Sequence, residues 1–94
     1  MAYISGVMNK PLHTVAFTDS FLKDCAAAGI DEAALKLIGD TLAADPAAGD
    51  LIRESAGARK VRIARPGQGK SGGYRLITAY VGSEAPLYAL ALYA

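Results

Sequence analysis

The side chains that could do chemistry in this 94-residue sequence are seven basic residues gathered between positions 53 and 75. One acidic residue, Glu54, lies among them, so seven positive charges against one give this segment +6, although the whole chain has a net charge of +1. The alternative to a binding surface is a charged surface that is only solvated and protective. Five of the seven basic residues are arginines, however, and their planar guanidinium groups fit phosphate. The segment therefore predicts a surface for an anionic partner. Its basic residues are Arg53, Arg59, Lys60, Arg62, Arg65, Lys70 and Arg75.

The spacing of these residues indicates how they would meet a nucleic acid. In "RKVRIAR", Val61 and Ile63 alternate with Lys60 and Arg62, which is typical of a strand with one buried face. Lys60 and Arg62 then project from the same face, about 6–7 Å apart, close to the phosphate spacing along a single strand. The glycine-rich stretch "PGQGKSGG" follows, with Lys70 at its centre, and glycine lets a backbone approach a ligand closely.

Three kinds of site compete for a basic strand beside a glycine-rich loop. A P-loop is the weakest, because position 64, where that pattern needs glycine, is Ala64, and no helix pattern follows the loop. The second is a surface that binds nucleic acid through charge alone. The third is a site that cleaves RNA, because the 2′-hydroxyl of RNA is itself a nucleophile, and Lys and Arg can stabilise the charge that develops on the phosphate.

Other reactive residue types give little support for a different chemistry. Cys25 lies in an apolar helical pattern and is predicted to be a buried small side chain, while His13 precedes the first strand and is predicted to be structural or exposed. No Cys/His cluster and no carboxylate pair at catalytic spacing occurs, so we expect neither a metal site nor a cofactor. A single cysteine, no secretory signal and no apolar run of membrane-spanning length predict a cytoplasmic protein without a membrane segment.

The elements that must position the basic residues can be predicted from periodicity and caps. A short strand is expected over 13–17. A helix beginning at Thr18 or Asp19 ends at Gly29, and a second begins at Asp31 and stops at Pro46. Strands are then expected over 59–65, 74–81 and 87–94, with a loop over 66–73; the last strand is apolar on both faces, as expected for a fully buried central strand.

The order β-α-α-β-β-β predicts a single α+β domain over residues 1–94, in which an antiparallel-rich sheet is covered on one face by a helical hairpin. The helices must cover the face that carries Val61 and Ile63. Lys60 and Arg62 are then left on the open face. Arg75 begins the neighbouring strand and is expected to reach the same surface.

Residues 42–81 carry several motifs in a familiar order. These are "LAADPAAGD", "AGARKVR", "GKSGG" and "YRLITAY". In this combination they resemble the RelE/HigB superfamily of bacterial toxin–antitoxin ribonucleases, and most closely its HigB-type branch with a long glycine loop. The resemblance implies the RelE-like β-α-α-β-β-β fold over nearly the whole chain.

The resemblance also implies an activity: metal-independent endoribonuclease cleavage of mRNA, usually at the ribosome, which inhibits translation. The residues that match the family's catalytic positions are Lys60, Arg62, Lys70 and Arg75, with phosphate orientation and charge stabilisation as their implied roles; Lys60 or Lys70 would also take part in proton transfer. Additional RNA contacts are expected from Arg59, Arg65, Tyr74 and Tyr80. The implied partners are a cognate antitoxin protein, in a toxin–antitoxin hetero-oligomer, and ribosome-bound mRNA.

The sequence departs from the family pattern at three places. "ESAGARK" replaces the usual "GTGGLRK", and "LITAY" keeps one tyrosine, Tyr80, of the usual pair. Members of the family continue beyond the last strand into a charged helix that contributes active-site residues, so weak activity or reliance on a partner is expected for residues 1–94. The alternative function is therefore a non-catalytic binding protein, either a ParE-like gyrase binder or a toxin that only binds antitoxin.

Overall fold

The structure is a computed structural model that describes the backbone of residues 2–3, 13–65 and 69–93 and the side chains of residues 13–64 and 73–93. It is an α+β fold with a mixed sheet and two helices. The elements in chain order are β1 (Ala2–Tyr3), β2 (Val15–Phe17), α1 (Asp19–Ala27), α2 (Glu32–Ala44), β3 (Asp50–Leu51), β4 (Ala58–Arg65), β5 (Gly69–Ala79) and β6 (Leu87–Tyr93).

The strands lie in the order β1-β2-β6-β5-β4-β3. β2 and β6 pair in parallel, and the other neighbours pair antiparallel. β6 therefore occupies a central position, as the sequence predicts. It is not buried on both faces, however, because Tyr88 and Tyr93 are each 43 % exposed. The prediction of a fully buried last strand is wrong, since in the described structure the helices cover one face of the sheet alone.

Local sequence explains where the helices begin and end. The Thr18 hydroxyl accepts a hydrogen bond from the backbone N–H of Phe21 (3.2 Å), and the Asp31 carboxylate accepts one from Ala34 (2.8 Å), so both predicted N-caps are confirmed. Gly29 follows α1 with φ of +75°, a left-handed conformation that favours glycine. The Asp24 carboxylate on α1 also accepts a hydrogen bond from the Leu92 backbone (3.0 Å), which fixes the helix to β6.

The hydrophobic core lies between the helices and one face of the sheet. Val61 and Ile63 belong to it, as predicted, together with Leu76 of β5. The buried hydroxyl of Thr78 lies in the same layer and has no hydrogen-bond partner among the described residues. The helices contribute Phe21, Cys25, Ile38, Leu42 and Ala43, and β2 and β6 contribute Val15, Phe17, Leu87, Ala89 and Leu92.

Two further differences from the predicted elements concern strand length. β5 begins at Gly69, so the second half of the predicted 66–73 loop is strand, and Gly69 pairs with Arg65. β1 and β3 are additional two-residue strands that the sequence pattern does not predict. No helix in the described part of the chain is long and apolar enough to cross a membrane.

Candidate nucleic-acid interface

Three of the predicted cations meet on the open face of the sheet. Arg62 on β4 and Arg75 on β5 are direct cross-strand partners. Lys60 lies two residues before Arg62 on the same face, because side chains alternate along a strand. The neighbouring Val61 and Ile63 are buried on the opposite face, so burial and alternation agree. The structure thus brings together Lys60, Arg62 and Arg75.

This arrangement places like charges next to each other. Residues directly opposite in an antiparallel pair have Cβ atoms about 4.5–5.5 Å apart, and like charges at such positions are destabilising. Among the described side chains, neither Arg62 nor Arg75 nor Lys60 lies within 4.0 Å of a carboxylate; the ion pair present there joins Lys36 and Asp40 on α2 (3.0 Å). An anion bound between the two guanidinium groups would relieve their repulsion.

A depression of about 620 Å³ lies over these cations. Its walls come from β3, β4, β5, β6 and the segment before β3, and its lining residues are Ala48, Gly49, Asp50, Lys60, Val61, Arg62, Arg75 and Tyr93. Tyr93 is the direct cross-strand partner of Arg75, and Asp50 is the partner of Lys60. The cations thus form the middle of the depression, and one carboxylate and one phenol flank them.

Asp50 and Tyr93 are not among the sequence-predicted site residues. Asp50 stands in the quoted motif "LAADPAAGD", but nothing in that motif predicts the two-residue strand that places it opposite Lys60. Tyr93 could have been found from alternation along β6 once the pairing with β5 was known. That pairing contains a register shift between Ile77 and Thr78, which periodicity alone does not predict.

Other predicted RNA contacts lie on the helix-covered face. The Arg59 guanidinium lies over the ring of Tyr80, 5.7 Å from its centroid, and donates a hydrogen bond to the Tyr80 carbonyl oxygen (3.5 Å). His13 meets the same ring edge-on at 5.1 Å, and its Nε2 lies 2.8 Å from the Ala85 carbonyl oxygen. Tyr74 and Tyr80 pack against the core. Arg59, Tyr74 and Tyr80 are therefore separated from the three cations by the thickness of the sheet.

The remaining predicted residues are Arg65 and Lys70. Their backbones belong to the paired ends of β4 and β5, near the register shift between Ile63 and Arg65. Their side chains lie outside the part of the structure that is described. Both remain predicted contacts.

Cys25 is buried, as predicted, and burial disfavours the thiolate that a nucleophilic cysteine needs. The pKa of the Cys25 thiol rises from 9.0 to about 11, mainly because the thiol is buried and secondly because the Asp24 carboxylate lies beside it. Within residues 13–64 and 73–93, no group of three or more His, Cys, Asp or Glu side chains could hold a metal ion. A comparison with models of known protein families finds no match to this chain.

Proposed function

We propose that this chain is the toxin component of a type II toxin–antitoxin system and that it cleaves mRNA at the ribosome as a metal-independent endoribonuclease of the RelE/HigB type. The observation that carries the proposal is the cross-strand pair of Arg62 and Arg75 beside Lys60, on an open face and without a carboxylate partner among the described residues. The order of the four motifs in residues 42–81 supports the same assignment.

To cleave RNA in this way, the protein needs mainly to position the backbone and to supply positive charge. In RNA the 2′-hydroxyl lies next to the phosphorus, so binding the backbone in the correct orientation brings nucleophile and electrophile together. Arg62 and Arg75 would each donate to the phosphate oxygens and stabilise the negative charge that grows in the transition state. Lys60, two residues away along β4, would hold the adjacent phosphate and fix the register of the RNA.

A protein partner accompanies this assignment. The cognate antitoxin would form a hetero-oligomer with the toxin and cover the open face, using acidic side chains for the cations and apolar side chains for the rest of the surface. The open face has apolar area beside the charges, because Tyr88 is 43 % exposed there. The same area favours the second candidate function, a non-catalytic protein that binds gyrase or antitoxin through this face.

Mapping of mRNA ends by primer extension in cells that express the chain separates these functions. The wild-type chain should produce discrete new 5′ ends within translated frames. The double variant Lys60→Ala, Arg75→Ala should produce none, because two of the three proposed phosphate contacts are lost. Lys23→Ala is the matched control: Lys23 is exposed on α1, on the other side of the sheet, and its loss should leave the cuts unchanged.

Three other results have defined meanings. New 5′ ends that persist in the double variant, with the protein folded, would show that the open face is not the cleaving site. Intact mRNA with arrested growth would contradict ribonuclease activity and favour a gyrase-type target. Intact mRNA with normal growth would leave antitoxin binding as the function.

A further inference from the structure

The depression over the cations contains one carboxylate, Asp50, at its β3 side. Asp50 is the direct cross-strand partner of Lys60, so both side chains project from the open face. Despite this register, no ion pair joins Asp50 to Lys60 within 4.0 Å. The carboxylate therefore faces the depression without an ion pair to its cross-strand partner, and it can accept a hydrogen bond from a ligand.

The backbone before Asp50 is held in place by close packing. Gly49 has φ of +96°, and a Cβ at this position would overlap the carbonyl oxygen of Lys60 and lie 2.9 Å from a methyl group of Val61. Glycine thus lets this segment lie directly against β4. As a result, the position of Asp50 relative to Lys60 is fixed by the chain rather than by side-chain contacts.

Tyr93 lies at the opposite side of the same depression. It is the cross-strand partner of Arg75, which is itself the partner of Arg62, so three side chains form a row across β6, β5 and β4. Asp50 on β3 lies beyond this row and is offset from it, because its partner Lys60 comes two residues before Arg62 on β4. Three strand spacings separate β3 from β6, roughly 14 Å, and the cations lie between.

This order matches what in-line cleavage of RNA needs. The attacking 2′-oxygen and the leaving 5′-oxygen stand on opposite sides of the phosphorus, so the proton acceptor and the proton donor must also stand on opposite sides. Protonated Lys and Arg side chains carry donors and no acceptor. Among the described residues that line the depression, Asp50 and Tyr93 are the two whose side-chain oxygens have lone pairs.

We infer that Asp50 and Tyr93 form the acid–base pair of the proposed ribonuclease. This inference rests on the proposed function and adds the route of the protons. The Asp50 carboxylate takes the proton of the 2′-hydroxyl while the bond from O2′ to phosphorus forms. The bond from phosphorus to O5′ breaks, and O5′ takes the proton of the Tyr93 hydroxyl. The products are a 2′,3′-cyclic phosphate and a 5′-hydroxyl, and exchange with water restores both side chains.

Single-turnover cleavage of an RNA oligonucleotide, free or bound to the ribosome, by the purified chain tests the Asp50 step. Asp50→Asn keeps the shape of the side chain but removes the proton acceptor, and should slow cleavage by about 100-fold or more. Binding of the 2′-deoxy oligonucleotide, which cannot be cleaved, should be unchanged or tighter because a negative charge is lost. Glu84→Gln, an exposed carboxylate in the turn before β6, is the control and should cleave at the wild-type rate.

A modified substrate tests the Tyr93 step. Tyr93→Phe should slow cleavage of ordinary RNA by about 100-fold or more. An RNA with sulfur in place of the leaving 5′-oxygen should restore most of that loss, because a thiolate leaves without being protonated. The same substrate should not rescue Asp50→Asn, whose defect lies on the attacking side.

The outcomes separate this inference from the proposed function. If the wild-type chain cleaves RNA but Asp50→Asn cleaves within threefold of it, the acid–base assignment is wrong and the ribonuclease stands. A Tyr93→Phe defect that the sulfur substrate does not reduce would overturn the role of Tyr93 as proton donor. Failure of the wild-type chain to cleave any RNA, whether free or bound to the ribosome, with the oligonucleotide still bound, would instead remove the proposed function itself.

Discussion

At the scale of single residues, alternation along two strands decides which cations form the candidate site. Lys60, Arg62 and Arg75 were predictable as a group, because the apolar positions between them had to face the core. The same alternation places Arg59 on the helix-covered face, where its guanidinium lies 5.7 Å from the centre of the Tyr80 ring. Basic character alone therefore does not place a residue on the open face; the parity of the residue within its strand does.

Cys25 provides a residue-scale prediction about stability and pH. Its thiol has a pKa of about 11 in the folded protein and 9.0 without burial. Between these values the unfolded chain releases the proton while the folded chain keeps it, so rising pH favours unfolding. Wild-type protein should lose roughly 2 kcal/mol of unfolding free energy from pH 9 to 11 that Cys25→Ala does not lose. Urea unfolding at intervals over this range measures the difference.

Below pH 9, Cys25→Ala will be less stable than the wild type, because core contacts are lost. The informative quantity is therefore how the gap between the two proteins changes with pH. It should narrow as the pH rises from 9 to 11. Two curves that stay parallel over this range would show that the thiol is not held in its protonated form by the fold.

At the scale of secondary-structure elements, the approach of β5 to β4 depends on one glycine. A Cβ at Gly73 would overlap the carbonyl oxygen of Ile63 and lie 2.9 Å from the Cα of Ala64. Gly73→Ala should therefore destabilise the protein by about 3 kcal/mol and should also weaken RNA binding, because the displaced backbone adjoins Arg62. Thermal unfolding and binding of a 2′-deoxy oligonucleotide measure the two effects.

Gly29→Ala is the matched control for this change. Gly29 has φ of +75°, but a Cβ there would meet nothing within 4 Å. The substitution should cost about 1–2 kcal/mol through backbone conformation alone and should leave RNA binding intact, since Gly29 lies in the turn after α1. Equal losses of stability in the two variants would mean that the close approach of β5 to β4 is not required for stability. Normal RNA binding by Gly73→Ala would mean that it is not required for RNA binding.

Secondary-structure elements were predictable where their own residues determine them, and they were not predictable where pairing with another strand determines them. Both helices have caps and apolar periodicity within their own residues, so their positions follow from the sequence. β1 and β3 are two residues long and exist because a partner strand lies beside them. Asp50 enters the candidate site through such a pairing, which explains why the motif that contains it did not predict its place. The exposure of Tyr93 likewise depends on which sheet face the helices cover.

At the scale of the whole molecule, the near-neutral net charge conceals an uneven distribution of acidic and basic residues. Residues 1–52, which supply both helices, carry three Lys against seven Asp or Glu residues, while residues 53–75 carry seven basic residues against one acidic residue. If RNA is the ligand, as proposed, this distribution would repel it from the helices and attract it to the open face. Affinity that depends on this attraction must weaken with salt, because each phosphate contact releases condensed counterions.

The slope of the logarithm of the RNA association constant K against the logarithm of salt concentration then measures the number of phosphate contacts. For single strands each neutralised phosphate contributes about 0.7 to the slope. Arg75→Gln should reduce the magnitude of the slope by about 0.7 for a 2′-deoxy oligonucleotide. Lys23→Gln removes the same charge from α1 and should leave the slope unchanged, although both variants have the same net charge. Equal changes in the two variants would mean that RNA responds to total charge, and the assignment of the open face as its binding surface would be wrong.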